Sequence, residues 1–521
     1  MTLRWLLAGV VCLAGCASIG SPRYFDVLIR NGIIYDGTGA AARAGDIGIV
    51  DGRIVTLNAA AADDARRVID ATDRIVTPGF IDPHTHATGD LKHPQRNANA
   101  GYLLQGVTTV FIGNDGYGVN DRVTTLALFQ KQGIGTNVAF FAGHGGIRKR
   151  VMALADRAPT SSEMDAMVSA VDAAMEQGAL GLSSGLYYAP GSYSDTSEVI
   201  ALAAAAARAG GVYDTHLRVE SVQAPGLLNA VAEAITIGRE ANIPVHISHI
   251  KALGADSWGA SAAVIEQVEA ARATGQRVTA NQYPWRASGT RFSNVLIPRW
   301  VMADSKAAMR TRLSDDSIKA QIRDEMIVNL RQRGGPDAML VSDPDSPWQG
   351  KTLAEVATAT DNDVLETAIR LILQGDPSIA SFVMDPTDIR AFASRDWVMT
   401  GSDGSRGHPR KVATYPKAYQ DFVVHDKVMS LARFVQRSTG QVASEFGLCD
   451  RGRLLPGMRA DIAVIDPPTF IPRATYADAT KLSTGVDYLL IDGHLAVDRG
   501  QVQTALHGQV VRRSQQRCVD E

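Results

Sequence analysis

The amino-acid sequence predicts an α/β fold class, a (β/α)8 TIM barrel joined to a small β-sandwich domain built from both termini. Three observations support this. Eight short apolar runs, each ending in polar residues, alternate with helical stretches through the middle of the chain. Alternating strands punctuated by glycine turns fill both ends. Histidines and carboxylates recur just past the apolar runs, where such a barrel gathers its active-site residues.

The elements follow in chain order. Met1 to Arg4 make a short positive start, and 5–15 is apolar but too short to span a bilayer as a helix. The stretch ends in Leu13-Ala14-Gly15-Cys16, which resembles a bacterial lipoprotein signal over 1–15. That resemblance implies a lipid on Cys16, membrane attachment through it, and a mature chain in the cell envelope. Ala17 stands where Asp would favour retention at the inner membrane, which implies the outer membrane with the protein facing the periplasm. A plain secretory signal with an incidental cysteine is the alternative, and both readings export the chain. Cys12 leaves with the signal. Cys449 and Cys518 remain near the C-terminus, either bridged, as an oxidising compartment permits, or as two free thiols.

Residues 24–75 read as the N-terminal part of the sandwich, on the alternation in 25–32 and 46–55. Residues 446–515 read as its C-terminal part, on 460–466 and 488–493. Between them 76–445 reads as the barrel, with runs at 79–84, 108–113, 137–142, 179–183, 212–216, 244–248, 277–282 and 397–400. Helices fit between the runs. Residues 163–177 and 260–273 are helical by composition, and Asp195 with Glu198 three residues later opens a helix through 199–204. A stretch at about 286–395 breaks the rhythm as an insertion with helices of its own, placed to form a lid over the barrel mouth. Apolar content of 45% suits a globular core, and a net charge of −3 without blocks of like charge argues against a nucleic-acid partner. No feature of the sequence speaks to oligomeric state.

The chemistry concentrates after the apolar runs. His84-Thr85-His86 follows the first, and residues at i and i+2 of an extended chain share a face, so two imidazoles can meet one divalent ion. Two ordinary turn histidines are the alternative for this motif taken alone. The second run ends in Asn114-Asp115, the third in His144, the fifth in His216, the sixth in Ser248-His249 and the eighth in Ser402-Asp403. Together these describe a mono- or binuclear metal site on one rim. His246 is out of phase with His249 on a regular strand and reads as a structural histidine.

The landmarks Pro78-Gly79-Phe80-Ile81-Asp82-Pro83-His84-Thr85-His86, Gly106-Val107-Thr108-Thr109-Val110, Gly143-His144-Gly145 and Gly185-Leu186-Tyr187-Tyr188-Ala189-Pro190-Gly191 form a specific set. Thr215-His216-Leu217-Arg218, Ile247-Ser248-His249-Ile250-Lys251, Gly401-Ser402-Asp403-Gly404 and His408-Pro409-Arg410 complete it. As a set they resemble the amidohydrolase superfamily and, within it, the D-aminoacylase (N-acyl-D-amino-acid deacylase) family. The resemblance implies zinc, one or two ions, with His84 and His86 on one metal and His216 and His249 on the other. It implies Asp403 as general base and metal ligand, and Lys251, Tyr283 and Arg410 as binders of the substrate carboxylate. His144 lies on the rim, where it is placed to polarise the substrate carbonyl.

One position departs from the family. A cysteine shared by both metals usually follows the Gly-Asn of the second strand, and here it is Asp115. A carboxylate can also bridge two ions, although it is harder than a thiolate. The alternative is a turn aspartate capping its own loop. The fourth run contains no lysine, so Asp115 is the evident bridge. The implied function is metal-dependent hydrolysis of the acyl group from a small molecule, an N-acyl-D-amino acid, with the D preference inherited from the resemblance. A dipeptidase or cyclic-amide hydrolase on the same site, or a ligand-binding lipoprotein that has lost catalysis, are the alternatives.

Overall fold

The computed structural model describes residues 23–118, 122–514 and 518, so the signal-like segment with Cys16 lies outside the described residues. Five strands open the chain: β1 (Tyr24–Ile34), β2 (Arg43–Val50), β3 (Arg53–Thr56), β4 (Asp64–Asp70) and β5 (Ile75–Pro78). β1 is long enough to serve two neighbours on one edge. Its first half pairs in parallel with β4 and its last residues with β5, while β2 runs antiparallel along the other edge.

The chain then enters the barrel through Pro78-Gly79-Phe80. A Cβ at Gly79 would collide with the Thr108 side chain, so this crossing needs glycine. Barrel strands follow as β6 (Phe80–Asp82), β7 (Val107–Ile112), β8 (Asn137–Phe140) with its continuation β9 (Ala142–Gly143), β10 (Gly181–Gly185), β11 (Val212–His216), β12 (Val245–Ile247) and β13 (Val278–Gln282). An inserted region carries β14 (Ala287–Arg291), β15 (Met339–Val341) and β16 (Ser378–Phe382), and β17 (Val398–Thr400) is the eighth barrel strand. Every barrel pairing is parallel. The cylinder closes where Thr85 bridges Gly404 and the Asp403 N–H donates to the His84 carbonyl at 2.9 Å. All eight apolar runs coincide with these strands.

Between the strands, the helix Ser161–Glu176 is opened by a reciprocal Thr160–Glu163 capping box. Thr196–Arg208 starts as expected at Asp195, which accepts the Glu198 N–H at 2.8 Å. The Glu198 carboxylate does not return to the helix start; it is buried against His144 and Arg148.

The insertion is a packed unit and not a loop. β14, β16 and β15 form an antiparallel sheet that the sequence reading did not foresee. Helices such as Lys319–Gln332 and Val364–Gln374 pack on it through Phe292, Leu296, Met326, Ile369 and Ile379. The insertion ends earlier than expected, because the helix Pro386–Ala393 packs against β17 and the helix Ser261–Ala273 as part of the barrel.

The C-terminal strands β18 (Ile462–Ile465), β19 (Val486–Ile491), β20 (His494–Asp498) and β21 (Gln501–Val502) return to the first domain. β18 lies antiparallel to β5, with Val464 opposite Val76, so the sandwich is assembled from both termini as one continuous nine-stranded sheet. Val27, Ile29, Ile49, Ile69, Val76, Ile462 and Leu490 share its core. Cys449 and Cys518 are joined as a disulfide. Among the described residues no helix is long and apolar enough to cross a membrane.

Candidate metal centre

The site sits at the C-terminal ends of the barrel strands. Asp82, last residue of β6, accepts N–H groups from His84 at 3.2 Å and Ser402 at 3.0 Å, which ties the first strand to the eighth just below the site. Burial pushes its carboxyl up to about 7. Asn114 donates to the Pro83 carbonyl and to Asp214, and thereby holds the turn that presents Asp115. Three site residues, Asp115, His249 and Asp403, take positive φ values of 56°, 36° and 48°. Such backbone costs about 1–3 kcal/mol per residue and persists only where surrounding contacts impose it. Around Asp115 the imposing contact is close packing, since a Cβ at Gly185 would overlap the Asp115 carbonyl oxygen.

The ligand atoms form two groups that share one residue. His84, His86, Asp115 and Asp403 make the first, and Asp115, His216 and His249 the second, with the donor atoms of each group within 4.8 Å of one another. In the first, His86 Nε2 is 3.0 Å from Asp403 Oδ1 and 3.4 Å from Asp115 Oδ2. His84 Nε2 is 3.4 Å from Asp115 Oδ1. In the second, His249 Nε2 is 3.3 Å from Asp115 Oδ1 and 2.8 Å from His216 Nδ1. Thus Asp115 faces both histidine pairs, one carboxylate oxygen toward each of His86 and His249. All six residues expected as ligands converge.

The donor set fits divalent zinc. Imidazole and carboxylate are its ordinary ligands besides thiolate. Both ring nitrogens of His84 are sealed from solvent and lack a hydrogen-bond partner among the described residues, an arrangement that costs free energy unless something else engages them. Electrostatics agree with a cation there. Burial opposes the charge of Asp115, but His84, His249 and His86 outweigh it and hold the carboxyl well below the usual range. Burial also opposes the charge of Asp403, and Arg410, His249 and His86 outweigh it. Burial pushes His216 down to about 3, leaving the neutral imidazole that a metal requires.

A cavity of about 540 Å³ opens over this centre, lined on the barrel side by His86, Asp115, Asp403 and Arg410 and on the other by the insertion through Gly289, Asn294, Arg333 and Asp343. The insertion therefore roofs the mouth, as its position in the sequence suggested. Lys251, Tyr283 and Arg410 all reach the cavity wall. The Arg410 guanidinium carbon is 5.0 Å from the Tyr283 ring centroid and Lys251 Nζ 5.9 Å from it. The Tyr283 hydroxyl and Arg410 Nε are buried without a hydrogen-bond partner among the described residues.

His144 is a correction. Its ring is fully buried, with Nε2 2.8 Å from Glu198 Oε1, and Arg148 Nε donates to the same oxygen at 3.0 Å. It is absent from the cavity wall and acts as the anchor of a buried ion-pair cluster behind it. The reason is the helix that begins at His144 itself, which turns the ring toward Glu198 of the neighbouring helix. His246 is structural as expected, 2.9 Å from Thr279 Oγ1 and 2.8 Å from Asn281 Nδ2.

Sequence reasoning missed Glu220. Its Oε1 accepts from Lys251 Nζ at 2.5 Å and lies 3.1 Å from His249 Nδ1. Burial opposes its charge, but Lys251, His216 and His249 together hold it below the usual range. The only available signal was its spacing four residues after His216, beyond the strand end. Tyr187, Tyr188 and Arg333 on the cavity wall were missed as well.

A closed parallel barrel with a shared-carboxylate His/Asp centre at its C-terminal mouth defines a metal-dependent hydrolase of amidohydrolase architecture. No family model matches the chain. It is 30% identical to an N-acyl-D-glutamate deacylase of Alcaligenes xylosoxydans xylosoxydans over 90% of this chain and 93% of that protein. Among solved structures, the N-acyl-D-glutamate deacylase of Bordetella bronchiseptica, complexed with zinc and a phosphonate mimic of the tetrahedral intermediate, superposes with a TM-score of 0.80 at 30% identity, covering 94% of this chain and all of that one. A D-aminoacylase with a binuclear metal centre superposes with a TM-score of 0.81 at 28% identity over 94% of this chain. The chain belongs to the D-aminoacylase (N-acyl-D-amino-acid deacylase) family of the amidohydrolase superfamily.

Proposed function

We propose that this protein is a zinc-dependent amide hydrolase that removes the acyl group from N-acyl-D-amino acids. The observation that carries this reading is Asp115 facing two histidine pairs beneath a cavity whose wall holds partly unsatisfied carboxylate-binding groups. His84, His86, Asp115, His216, His249 and Asp403 would hold divalent zinc, which would supply Lewis acidity toward the amide carbonyl and a water made nucleophilic near neutral pH. Asp403, kept ionised by Arg410, takes the water proton and returns it to the leaving amine. The Tyr283 hydroxyl and the Arg410 Nε bind the substrate's α-carboxylate and so fix the acyl group over the centre. Lys251 adds positive potential to that wall while Glu220 balances its charge. The D preference rests on the activities named for the relatives.

Turnover of the zinc-loaded protein across N-acetyl amino acids of both hands, dipeptides and a cyclic imide tests this. N-acetyl-D-amino acids should be the substrates, and activity should vanish with a chelator and return with zinc. A protein with a full metal complement that leaves all N-acyl-D-amino acids intact would sink the reading.

We also propose export and lipid anchoring through Cys16 in the outer membrane, facing the periplasm. Support comes from Leu13-Ala14-Gly15-Cys16 and from the Cys449–Cys518 disulfide, which suits an oxidising compartment. Detergent-phase partitioning of the native protein should be lost in Cys16→Ala. Equal partitioning of the two would refute the anchor.

A further inference from the structure

The cations around the cavity differ in what already neutralises them. Lys251 is paired with Glu220 at 2.5 Å, Arg406 with Asp345 at 2.5 Å and Arg410 with Asp403 at 2.7 Å. Arg291 is exposed and donates to the Asp376 carbonyl. Arg333 is the exception. It lines the cavity, is only 8% exposed, and has no carboxylate partner among the described residues. Among the described residues its one side-chain hydrogen bond runs from Nη2 to the Tyr187 hydroxyl at 3.0 Å, and that hydroxyl donates onward to the Asn294 carbonyl at 2.9 Å. Arg299, stacked over the Tyr187 ring at 4.1 Å, also lacks a carboxylate partner among the described residues and adds positive potential behind it.

A buried guanidinium without a counter-charge is costly unless a ligand supplies one. Its planar fork suits a carboxylate. The fork is held in place by Tyr187, whose ring centroid lies 5.7 Å from that of His216, so it flanks the second ligand group. The α-carboxylate groups, Tyr283 and Arg410, belong instead to the side of Asp403. Within the deacylase reading, on which this rests, we propose that Arg333 receives a second carboxylate of the substrate, making acidic N-acyl-D-amino acids the preferred class. The same charge could arrive on a dicarboxylic acyl group, and substrate pairs distinguish the two.

The experiment compares kcat/KM of the zinc-loaded protein for two near-isosteric pairs: N-acetyl-D-glutamate against N-acetyl-D-glutamine, and N-succinyl-D-alanine against N-succinamoyl-D-alanine. In the wild type, one acidic member should exceed its neutral partner by about 100-fold, the scale expected for a buried charge left unpaired. A preference in the first pair places the carboxylate on the amino-acid side chain, and one in the second places it on the acyl chain. Arg333→Met should bring that ratio close to one. Ratios near one in both wild-type pairs would overturn the assignment without any variant, as would a preference that survives Arg333→Met. Turnover of neutral substrates with no acidic preference overturns Arg333 alone. Failure of every N-acyl-D-amino acid overturns the deacylase reading and this assignment with it.

Discussion

Arg410 Nη1 lies 2.7 Å from Asp403 Oδ2, with both side chains buried. In the proposed function Arg410 binds substrate and Asp403 is the base, so this ion pair would couple binding to proton transfer through a single guanidinium.

Removing that guanidinium should raise the Asp403 pKa, because the cation that offsets its burial is gone. Arg410→Met is expected to move the acidic limb of the kcat/KM profile to higher pH and to cut kcat/KM by about 100-fold or more. Arg410→Lys keeps the charge but not the fork, so it should raise KM while leaving the limb near its original place. A profile from pH 4 to 9 on all three proteins checks this, and an unmoved limb in Arg410→Met would break the coupling.

Asp403→Asn should lower kcat by about 1,000-fold or more through loss of the base, while metal remains on the histidines. Metal content by mass spectrometry separates the roles. If zinc falls in step with activity, metal loss accounts for the effect and the result gives the base role no support.

Asp115→Cys should retain zinc and measurable activity, since a thiolate can bridge two ions as a carboxylate does. Asp115→Ala should lose metal from both groups, because each group contains Asp115. A folded, zinc-free Asp115→Cys protein would show that a thiolate cannot replace the carboxylate here, and a full zinc complement in Asp115→Ala would show that the position does not serve as a ligand.

Metal uptake should release protons. In the metal-free protein, burial lowers the imidazole pKa of His86 and His249, but facing carboxylates more than compensate and bring each up to about 9. Both are then cationic at pH 7, and zinc requires them neutral. Zinc affinity should therefore rise with pH up to about 9. Without metal the sign reverses. Stability from these raised groups is complete below the ordinary histidine pKa and fades as pH climbs through about 9. Calorimetric titration in buffers of different ionisation enthalpy counts the protons, and a value of zero would contradict the assignment.

The His144–Glu198–Arg148 cluster should matter to stability and not to binding. Glu198→Ala leaves Arg148 buried without its carboxylate and should cost about 3–5 kcal/mol. Thermal unfolding reads the loss, and KM of the surviving fraction should be unchanged. A large KM change would return His144 to the substrate.

The barrel was legible because eight short, largely apolar runs ending in polar residues alternate with helical stretches, and the strands they form are buried throughout. Its ligands were legible for the same reason: parallel strands all end at one mouth, so residues that follow them must converge. The inserted sheet was not, because β14 and β16 carry Ser, Gly and Thr at positions that no period separates from loop.

The primary structure alone determined where metal-binding side chains gather, since strand ends and the i, i+2 rule are local properties of the chain. Tertiary structure alone decided which charges answer one another. Glu220 meets Lys251 across 31 residues, Arg410 lies against the distant Tyr283 ring, His144 turns to Glu198 54 residues away, and Arg333 arrives from the insertion and meets no carboxylate among the described residues. Coulomb and hydrogen-bond energies depend on separation and burial in space, and no local pattern encodes either.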